Sequence, residues 1–273
     1  MLNYNGQIIS KDDSKLSYQN RAFKYGDAVF DTLKYKNGAI VFIEDHYFRL
    51  MSSMRMLRMG IPMNFTLKFY RDEILKLVNK KDLPGNSRVR VTVFRKDGGL
   101  YAPQNNEINY LIETESLISR SHKTYEIELF KDFQVYSGVL STIKTNNRMI
   151  NVIASIFASE NEFQNCVLIN EKKNIVEAIN ANIFLIKGKD IFTPALSEGC
   201  INGVFRKKII ELLSNTEEYN IHETSVSPFE LLRAEEVFLS NSITEIQSVS
   251  KYRKKNYTND KTLKIIKLLD QVC

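Results

Sequence analysis

Segments with helical and strand-like periodicity alternate along this chain, and that alternation limits its fold more than any other feature. Ser87–Arg95 (SRVRVTVFR) alternates with period two, as a half-buried strand does. Glu44–Met59 carries apolar residues at helical spacing, and Leu67–Val78 repeats that spacing. Asn5-Gly6 and Asn37-Gly38 each separate two strand-like runs, which predicts two β-hairpins. The pattern predicts an α/β fold with mixed sheets.

The second half of the chain shows the same alternation. It predicts a helix from Met149 to Phe163, a strand over Asn182–Lys187 and a helix over Arg206–Leu213. A polar stretch without a sustained period separates the two halves. We therefore expect a smaller N-terminal α/β domain over residues 1–117, a linker over 118–123 and a larger C-terminal α/β domain over 124–273.

Composition excludes several classes of protein. The chain has 273 residues, of which 43% are hydrophobic and 26% charged, as in ordinary globular proteins. Its apolar runs are shorter than the roughly 18 to 20 residues of a membrane span, and residues 1–13 lack the layout of a signal peptide, so we expect no membrane partner and a cytoplasmic location. The three cysteines and three histidines lack the spacing of a disulfide scaffold or zinc site, so we expect no metal.

The segment from Glu177 to Arg206 is the most informative about chemistry. It begins with a carboxylate, continues through Asn182 and an apolar strand, and ends in a glycine loop, Ile201–Val204, that runs into a helix. A helix N-terminus after a glycine presents several N–H groups and the positive end of the helix dipole, which favour a phosphate. Most Asn-Gly turns before helices bind nothing, so the loop alone favours an ordinary turn.

The complete segment resembles the signature of class IV pyridoxal-phosphate aminotransferases. The matching residues are Glu177, Asn182, Ile183, Phe184, Thr193, Ile201, Gly203, Val204 and Arg206. Three other segments are similar to elements of that family: Arg21–Asp31 (RAFKYGDAVFD), Asp45–Leu50 (DHYFRL) and Lys144–Arg148 (KTNNR). The resemblance implies the two-domain fold of the family, pyridoxal 5'-phosphate as cofactor, a small-molecule amino substrate, and a homodimer whose loops close each other's sites.

The resemblance also implies roles for single residues. Lys144 would form the Schiff base with the cofactor and move protons, and Glu177 would keep the ring nitrogen protonated. The other implied cofactor-binding residues are Arg49, Asn182, Gly203, Val204, Phe205 and Ser242. Many members have Thr in place of Phe205, so a hydroxyl is lost there while the backbone N–H remains. Without the resemblance, Lys144 and Arg49 would be interpreted as solvated side chains.

Local motifs favour one reaction within the family. Asn147-Arg148, Asn202-Gly203 and Arg95–Tyr101 resemble motifs of aminodeoxychorismate lyases, and Thr32 stands where aminotransferases often have Gly. Thr32 is therefore a second candidate catalytic residue. The segment Asn241–Ile246 instead resembles aminotransferases. The favoured reaction releases pyruvate and 4-aminobenzoate from 4-amino-4-deoxychorismate, and the alternative is a branched-chain or other amino-acid aminotransferase that uses 2-oxoglutarate.

Either substrate carries a carboxylate that the enzyme must bind. Arg95, Arg148 and Tyr101 are the candidates, because arginine can bind a carboxylate through two parallel hydrogen bonds. Tyr25 could line the pocket. A solvent-facing charge at the end of a strand is an equally good interpretation of Arg95, and a core or interface position is an equally good interpretation of Tyr25.

A binding protein of another class is a remote alternative. The net charge is +6, and Lys251–Lys264 (KYRKKNYTNDKTLK) interleaves basic residues with Tyr252 and Tyr257, which could stack on bases. Such a tract is more often a solvated loop, and the chain contains no recognised nucleic-acid motif. We therefore expect no nucleic-acid partner.

Overall fold

The structure, a computed structural model, describes residues 1–13, 16–81, 85–117 and 124–271. Contacts divide the chain into two compact units. Unit 1 comprises Met1–Ser119 and Lys144–Asn147, and unit 2 comprises Arg120–Ile143 and Arg148–Cys273. The four residues from Lys144 therefore pack with unit 1, although they lie inside the range 124–273 expected for the C-terminal domain. The expected linker 118–123 lies outside the described residues.

Unit 1 is built on one antiparallel sheet of six strands. The strands are β1 (Leu2–Tyr4), β2 (Gln7–Ile9), β3 (Ala28–Lys36), β4 (Ala39–Ile40), β5 (Ser87–Arg95) and β6 (Ile108–Ser116), in the order β2-β1-β6-β5-β3-β4. Both predicted hairpins are present, since Asn5 and Asn37 have φ values of 49° and 53° and each is followed by a glycine with positive φ. The second strand of the second hairpin is short because a helix begins at Ile43.

Helices cover one face of this sheet. They are α2 (Ile43–Met56) and α3 (Leu67–Lys81), and a short helix, α1 (Arg21–Tyr25), precedes β3. Leu50 of α2 and Ile74 of α3 belong to the same buried cluster as Leu33 of β3 and Val91 of β5. Because side chains alternate along a strand, residues one position away from these strand residues lie on the opposite face. Phe30, Thr32 and Arg90 lie on that opposite face.

Unit 2 contains two mixed sheets of five strands each. One has the order β12-β11-β10-β13-β14 and the other β16-β15-β7-β8-β9. The strands are β7 (Glu126–Leu129), β8 (Asn165–Ile169), β9 (Ile175–Ala178), β10 (Asn182–Lys187), β11 (Asp190–Pro194), β12 (Asn220–Thr224), β13 (Glu236–Asn241), β14 (Glu245–Val249), β15 (Lys251–Tyr252) and β16 (Lys255–Asn256). The parallel pairs are β11 with β12, β7 with β8 and β7 with β15. The predicted mixed sheets are confirmed.

Four helices belong to unit 2. They are α4 (Met149–Glu160), α5 (Val204–Ser214), α6 (Glu230–Arg233) and α7 (Asp260–Leu269). Helix α5 begins two residues before the predicted start at Arg206, so its N-terminus directly follows the glycine loop. Among the residues that the structure describes, no helix combines the length and apolar character needed to cross a bilayer.

Candidate active site

The backbone around Lys144 is fixed to the start of β3 in unit 1. The N–H of Phe30 donates to the carbonyl of Lys144 at 2.8 Å, and the N–H of Asn146 donates to the carbonyl of Ala28 at 3.0 Å. An antiparallel bridge joins Thr145 to Val29 between these bonds. The segment therefore acts as a short additional strand, and Lys144 is held on the sheet of unit 1.

Gly26 makes room for the end of this segment. It follows α1 with φ of 64°, a left-handed conformation that favours glycine. A Cβ atom at Gly26 would lie 2.1 Å from Oδ1 of Asn147. The glycine thus permits the close approach of Asn147, which ties the lysine segment to α1.

The side chain of Lys144 lies over an aromatic ring on the face of the sheet that the helices leave open. Its Nζ is 4.8 Å from the centroid of the Phe30 ring, and Cζ of Arg90 is 3.7 Å from the same centroid. Arg90 also donates from Nη2 to Oδ1 of Asn146 at 3.3 Å. Thr32 is the direct partner of Arg90 in the strand register. Two cations, one aromatic ring and one hydroxyl are therefore brought together.

Arg49 lies on α2 and is paired with a buried carboxylate. Its Nε donates to Oδ2 of Asp31 at 3.0 Å, and its Nη2 donates to Oδ1 of the same side chain. Oδ1 of Asp31 is also 2.8 Å from Nδ1 of His46. Burial raises the pKa of Asp31, but Arg49 and His46 outweigh that effect and hold the pKa well below its ordinary value. The guanidinium of Arg49 is therefore held by an ionised partner.

In unit 2, Glu177 lies in the buried strand β9. Its Oε2 accepts a hydrogen bond of 2.9 Å from the N–H of Ile201, at the beginning of the glycine loop. Burial lowers the pKa of Arg148, and the nearby carboxylate of Glu177 partly opposes this effect. Nη2 of Arg148 donates to the carbonyl of Ile143 at 2.8 Å. The carboxylate, the guanidinium and the glycine loop thus form one cluster.

The glycine loop is held against β10 by Asn182. Nδ2 of Asn182 donates to the carbonyl of Ile201 at 2.9 Å, and a Cβ atom at Gly203 would lie 2.1 Å from Oδ1 of Asn182. Gly203 is also the residue that precedes α5. The loop therefore packs so tightly on Asn182 that a side chain at Gly203 would displace the asparagine.

Two further features converge on the N-terminus of α5. Val204 and Phe205 begin the helix, where backbone N–H groups have no acceptor within the helix. The strand register places Ser240 opposite Asn182, so that Ser242 follows at the end of β13. Within the described residues, Oγ of Ser240 is buried without a hydrogen-bond partner. The N–H groups of the helix and the serine hydroxyls are hydrogen-bond donors that suit a phosphate. The absence of a Cβ atom at Gly203 leaves space beside them.

Comparison with known proteins identifies the family. The sequence pattern described as amino-transferase class IV matches residues 28–252 of this chain. The chain belongs to the class IV amino-transferase family.

Curated relatives within the class IV family extend over most of this chain. It is 26% identical to an aminodeoxychorismate lyase of Vibrio harveyi, an alignment that covers 85% of each protein. It is 28% identical to an aminodeoxychorismate lyase of Bacillus subtilis over 94% of this chain and 88% of the relative. It is 22% identical to a D-alanine aminotransferase of Staphylococcus epidermidis over 98% of this chain and 94% of the relative.

Solved structures agree with the class IV fold. A branched-chain aminotransferase of Thermoproteus uzoniensis, crystallised with norvaline, matches with a TM-score of 0.90 at 18% identity. The match covers 99% of this chain and 93% of the other. The predicted class IV fold is thereby confirmed.

Arg95 was predicted as a substrate-binding residue of the class IV site, and its contacts argue against that role. Its Nε donates to Asp27 at 2.9 Å and its Nη2 to the carbonyl of Leu57 at 2.7 Å. Its Nη1 donates to Oδ1 of Asn106 at 2.5 Å and to the carbonyl of Arg58 at 3.3 Å. The side chain is buried, so the alternative interpretation of a solvent-facing charge is wrong. The guanidinium fork binds the protein itself.

The other two predicted pocket residues of unit 1 lie at an exposed loop. Arg21 holds this loop by donating from Nη1 to the carbonyl of Leu100 at 2.5 Å and from Nη2 to the carbonyl of Tyr101 at 3.3 Å. The side chain of Tyr101 is 88% exposed, and its ring lies 5.5 Å from that of Tyr25. The two tyrosines are therefore neighbours, but neither contacts the cluster at Lys144 through a contact that the structure describes.

Asn182, which was predicted to bind the cofactor, holds the glycine loop through its amide group. Sequence reasoning also missed Arg90, Asp31 and His46. The period-two pattern of β5 was a usable signal for Arg90, since it places this arginine on the same face as Thr92 and away from the apolar core.

The basic tract that suggested nucleic-acid binding is largely neutralised by acidic side chains of unit 2. The pairs are Lys251 with Glu126 at 2.8 Å, Arg253 with Glu128 at 3.2 Å, Lys261 with Glu235 at 2.6 Å and Lys264 with Glu218 at 3.7 Å. The phosphate backbone of a nucleic acid binds lysine and arginine side chains, and these pairs already engage four of them with carboxylates. The remote alternative is not favoured.

Proposed function

We propose that this class IV enzyme uses pyridoxal 5'-phosphate and acts as a 4-amino-4-deoxychorismate lyase. The observation that carries the proposal is the cluster on the open sheet face of unit 1, where Lys144 and Arg90 lie over Phe30 beside Thr32. The cluster supplies an amine for covalent attachment, a hydroxyl for proton transfer and a guanidinium for a carboxylate. Lyases among the relatives support the same choice.

The cofactor, when bound, withdraws electrons from the substrate carbon that carries nitrogen. Lys144 would hold it covalently, and Glu177 would keep its ring nitrogen protonated. Its phosphate would be bound by Arg49, by the backbone N–H groups of Val204 and Phe205, and by Ser242. The N–H of Ile201 donates a hydrogen bond to the Glu177 carboxylate and so fixes its orientation. Glu177 would therefore need no rearrangement to contact the ring nitrogen of the cofactor.

The remaining residues would move protons and bind the substrate. The Nζ atom of Lys144 would remove a proton from the substrate carbon that carries nitrogen. The Thr32 hydroxyl, on the same sheet face, would assist departure of the pyruvate group by donating or relaying a proton. Both products carry a carboxylate, so the substrate has two, and Arg90 and Arg148 are our candidates to bind them.

An amino-acid aminotransferase is the second candidate. One structural observation favours it: Oδ1 of Asn241 accepts from the N–H groups of Ile243 and Thr244, both at 2.8 Å, and so shapes the turn in the segment that resembles aminotransferases. A D-alanine aminotransferase is also among the relatives. That reaction would yield a keto acid in place of pyruvate and 4-aminobenzoate.

The reaction can be tested with the purified chain and its Lys144→Ala variant. We expect pyruvate and 4-aminobenzoate from aminodeoxychorismate, a yellow protein, and a cofactor that borohydride fixes on Lys144. The variant should lose all three, because the attachment amine is absent. The same preparation should be offered leucine, D-alanine and glutamate. Conversion of the cofactor to its amine form by one of these, without pyruvate from aminodeoxychorismate, would establish the aminotransferase instead. An unchanged visible spectrum in Lys144→Ala would refute the attachment site.

We also propose that the chain works as a homodimer. Helix α4 of unit 2 exposes Met149, Val152 and Ile156 by 68%, 52% and 51%. These positions share one side of the helix, because they are three and four residues apart. An apolar stripe of this kind supports association with another chain.

A further inference from the structure

Two buried titratable side chains of unit 1 have no part in the proposed chemistry. Asp31 of β3 is 1% exposed, and His46 of α2 is fully buried. Burying a carboxylate is unfavourable unless its oxygen atoms are well satisfied. A buried acid beside a residue proposed to bind phosphate therefore needs an explanation.

The oxygen atoms of Asp31 are fully engaged. Oδ1 accepts from the N–H of Thr32 at 2.6 Å and from Nδ1 of His46 at 2.8 Å, in addition to Nη2 of Arg49. Oδ2 accepts from Nε of Arg49 at 3.0 Å. Burial, together with the charge of Arg49, lowers the pKa of His46 although Asp31 raises it, so the ring is neutral and donates from Nδ1. Asp31 is thus anchored by the strand and by α2 at once.

This anchoring determines which edge of the Arg49 guanidinium faces other groups. Nε and Nη2 point at Asp31, so the edge that contains Nη1 is directed away from the carboxylate. A planar guanidinium fixed in this way has a set orientation toward any further acceptor. His46 lies three residues before Arg49 and so on the same side of α2, where its Nδ1 contacts the same carboxylate oxygen as Nη2 of Arg49.

We propose that Asp31 is a positioning residue that presets Arg49 to receive the cofactor phosphate, with His46 as its support. This inference rests on the proposed cofactor. Fixing a long side chain before the ligand arrives avoids the loss of its conformational freedom on binding, which we expect to change affinity by about tenfold. The charge of Asp31 has the opposite effect, because it repels the phosphate. The preset direction of Arg49 outweighs this repulsion in our proposal.

The test compares two ligands that differ only by the phosphate. Cofactor is removed with hydroxylamine, and the dissociation constants of pyridoxal 5'-phosphate and pyridoxal are measured by absorbance titration. Asp31→Asn should weaken binding of the phosphate ester by about tenfold and leave pyridoxal unchanged. In an Arg49→Ala background, Asp31→Asn should have no further effect. A structural defect would instead weaken both ligands.

Second variants keep the proposal testable if Asp31→Asn does not fold. His46→Asn can place an N–H donor near the position of Nδ1, whereas His46→Leu cannot. Only His46→Leu should therefore lower the ratio of the affinity for pyridoxal 5'-phosphate to the affinity for pyridoxal. Glu236→Gln is the matched control, because Glu236 is a buried acid that accepts from Thr262 in unit 2. It should change stability and not the ratio.

The outcomes separate this inference from the proposed function. If the parent chain binds neither ligand, the proposed cofactor is wrong. If the parent binds the phosphate ester through Lys144 and Asp31→Asn binds it equally well or more tightly, the positioning role is overturned. An equal loss with pyridoxal, or an undiminished effect of Asp31→Asn in the Arg49→Ala background, also overturns it.

Discussion

At the scale of single residues, an arginine's role depends on which acceptors the fold places around it. Arg95 and Arg90 lie on the same strand, and the sequence favoured Arg95 because Arg95–Tyr101 resembles a motif of aminodeoxychorismate lyases. The fold places a carboxylate, an amide and two carbonyls around Arg95, so its donors are used within the protein. Arg90 lies over Phe30 and beside the Lys144 segment. Sequence alone could not separate them, since all of these acceptors are distant in the chain.

Arg90 therefore gives the sharpest prediction about substrate binding. Arg90→Gln should raise KM for aminodeoxychorismate by about tenfold to a hundredfold, because a hydrogen bond to a charged group contributes about 1.5–3 kcal/mol. kcat should change less. Arg88→Gln is the matched control, since Arg88 lies two residues earlier on the same face and pairs with Glu115 at 3.6 Å. Equal KM values for the parent and Arg90→Gln in steady-state assays would remove Arg90 from the site.

At the scale of elements, strands β5 and β10 were predicted with their observed bounds, whereas the four-residue strand β9 was not. Strand β5 has the predicted bounds, because nine alternating residues leave little ambiguity. Strand β9, which carries Glu177, has four consecutive buried residues and therefore no alternation to detect. The role of Asn182 was missed for a related reason. Its partner Ile201 is nineteen residues away, and only the fold brings them together.

The fit between Gly203 and Asn182 can be tested at this scale. Gly203→Ala should destabilise the protein by about 1–3 kcal/mol and weaken cofactor binding, because the new methyl group would displace Asn182 and the start of α5. Thermal unfolding and cofactor titration measure the two effects. In the Asn182→Ala background the steric conflict is absent, so the cost of Gly203→Ala should be much smaller. Full additivity of the two substitutions would contradict this account.

At the scale of the whole molecule, the chain should associate with a second copy. Sedimentation equilibrium should give twice the chain mass of 31.6 kDa. Val152→Lys combined with Ile156→Lys should give the single-chain mass, because two charges would then lie on the apolar side of α4. Leu263→Lys is the control, since Leu263 is a 46% exposed apolar residue on another helix and should leave the dimer intact. A parent protein that sediments as one chain would refute the homodimer.

The four residues Lys144–Asn147 have a consequence for how such a gene can be rearranged. They pack with unit 1, but they are encoded between two stretches of unit 2. A crossover that exchanged residues 1–117 with those of a relative would separate Phe30, Ala28 and Gly26 from the lysine segment that they hold. Viable chimaeras should therefore inherit Gly26–Phe30 and Lys144–Asn147 from the same parent. In shuffling libraries, these two segments should be co-inherited although about a hundred codons separate them.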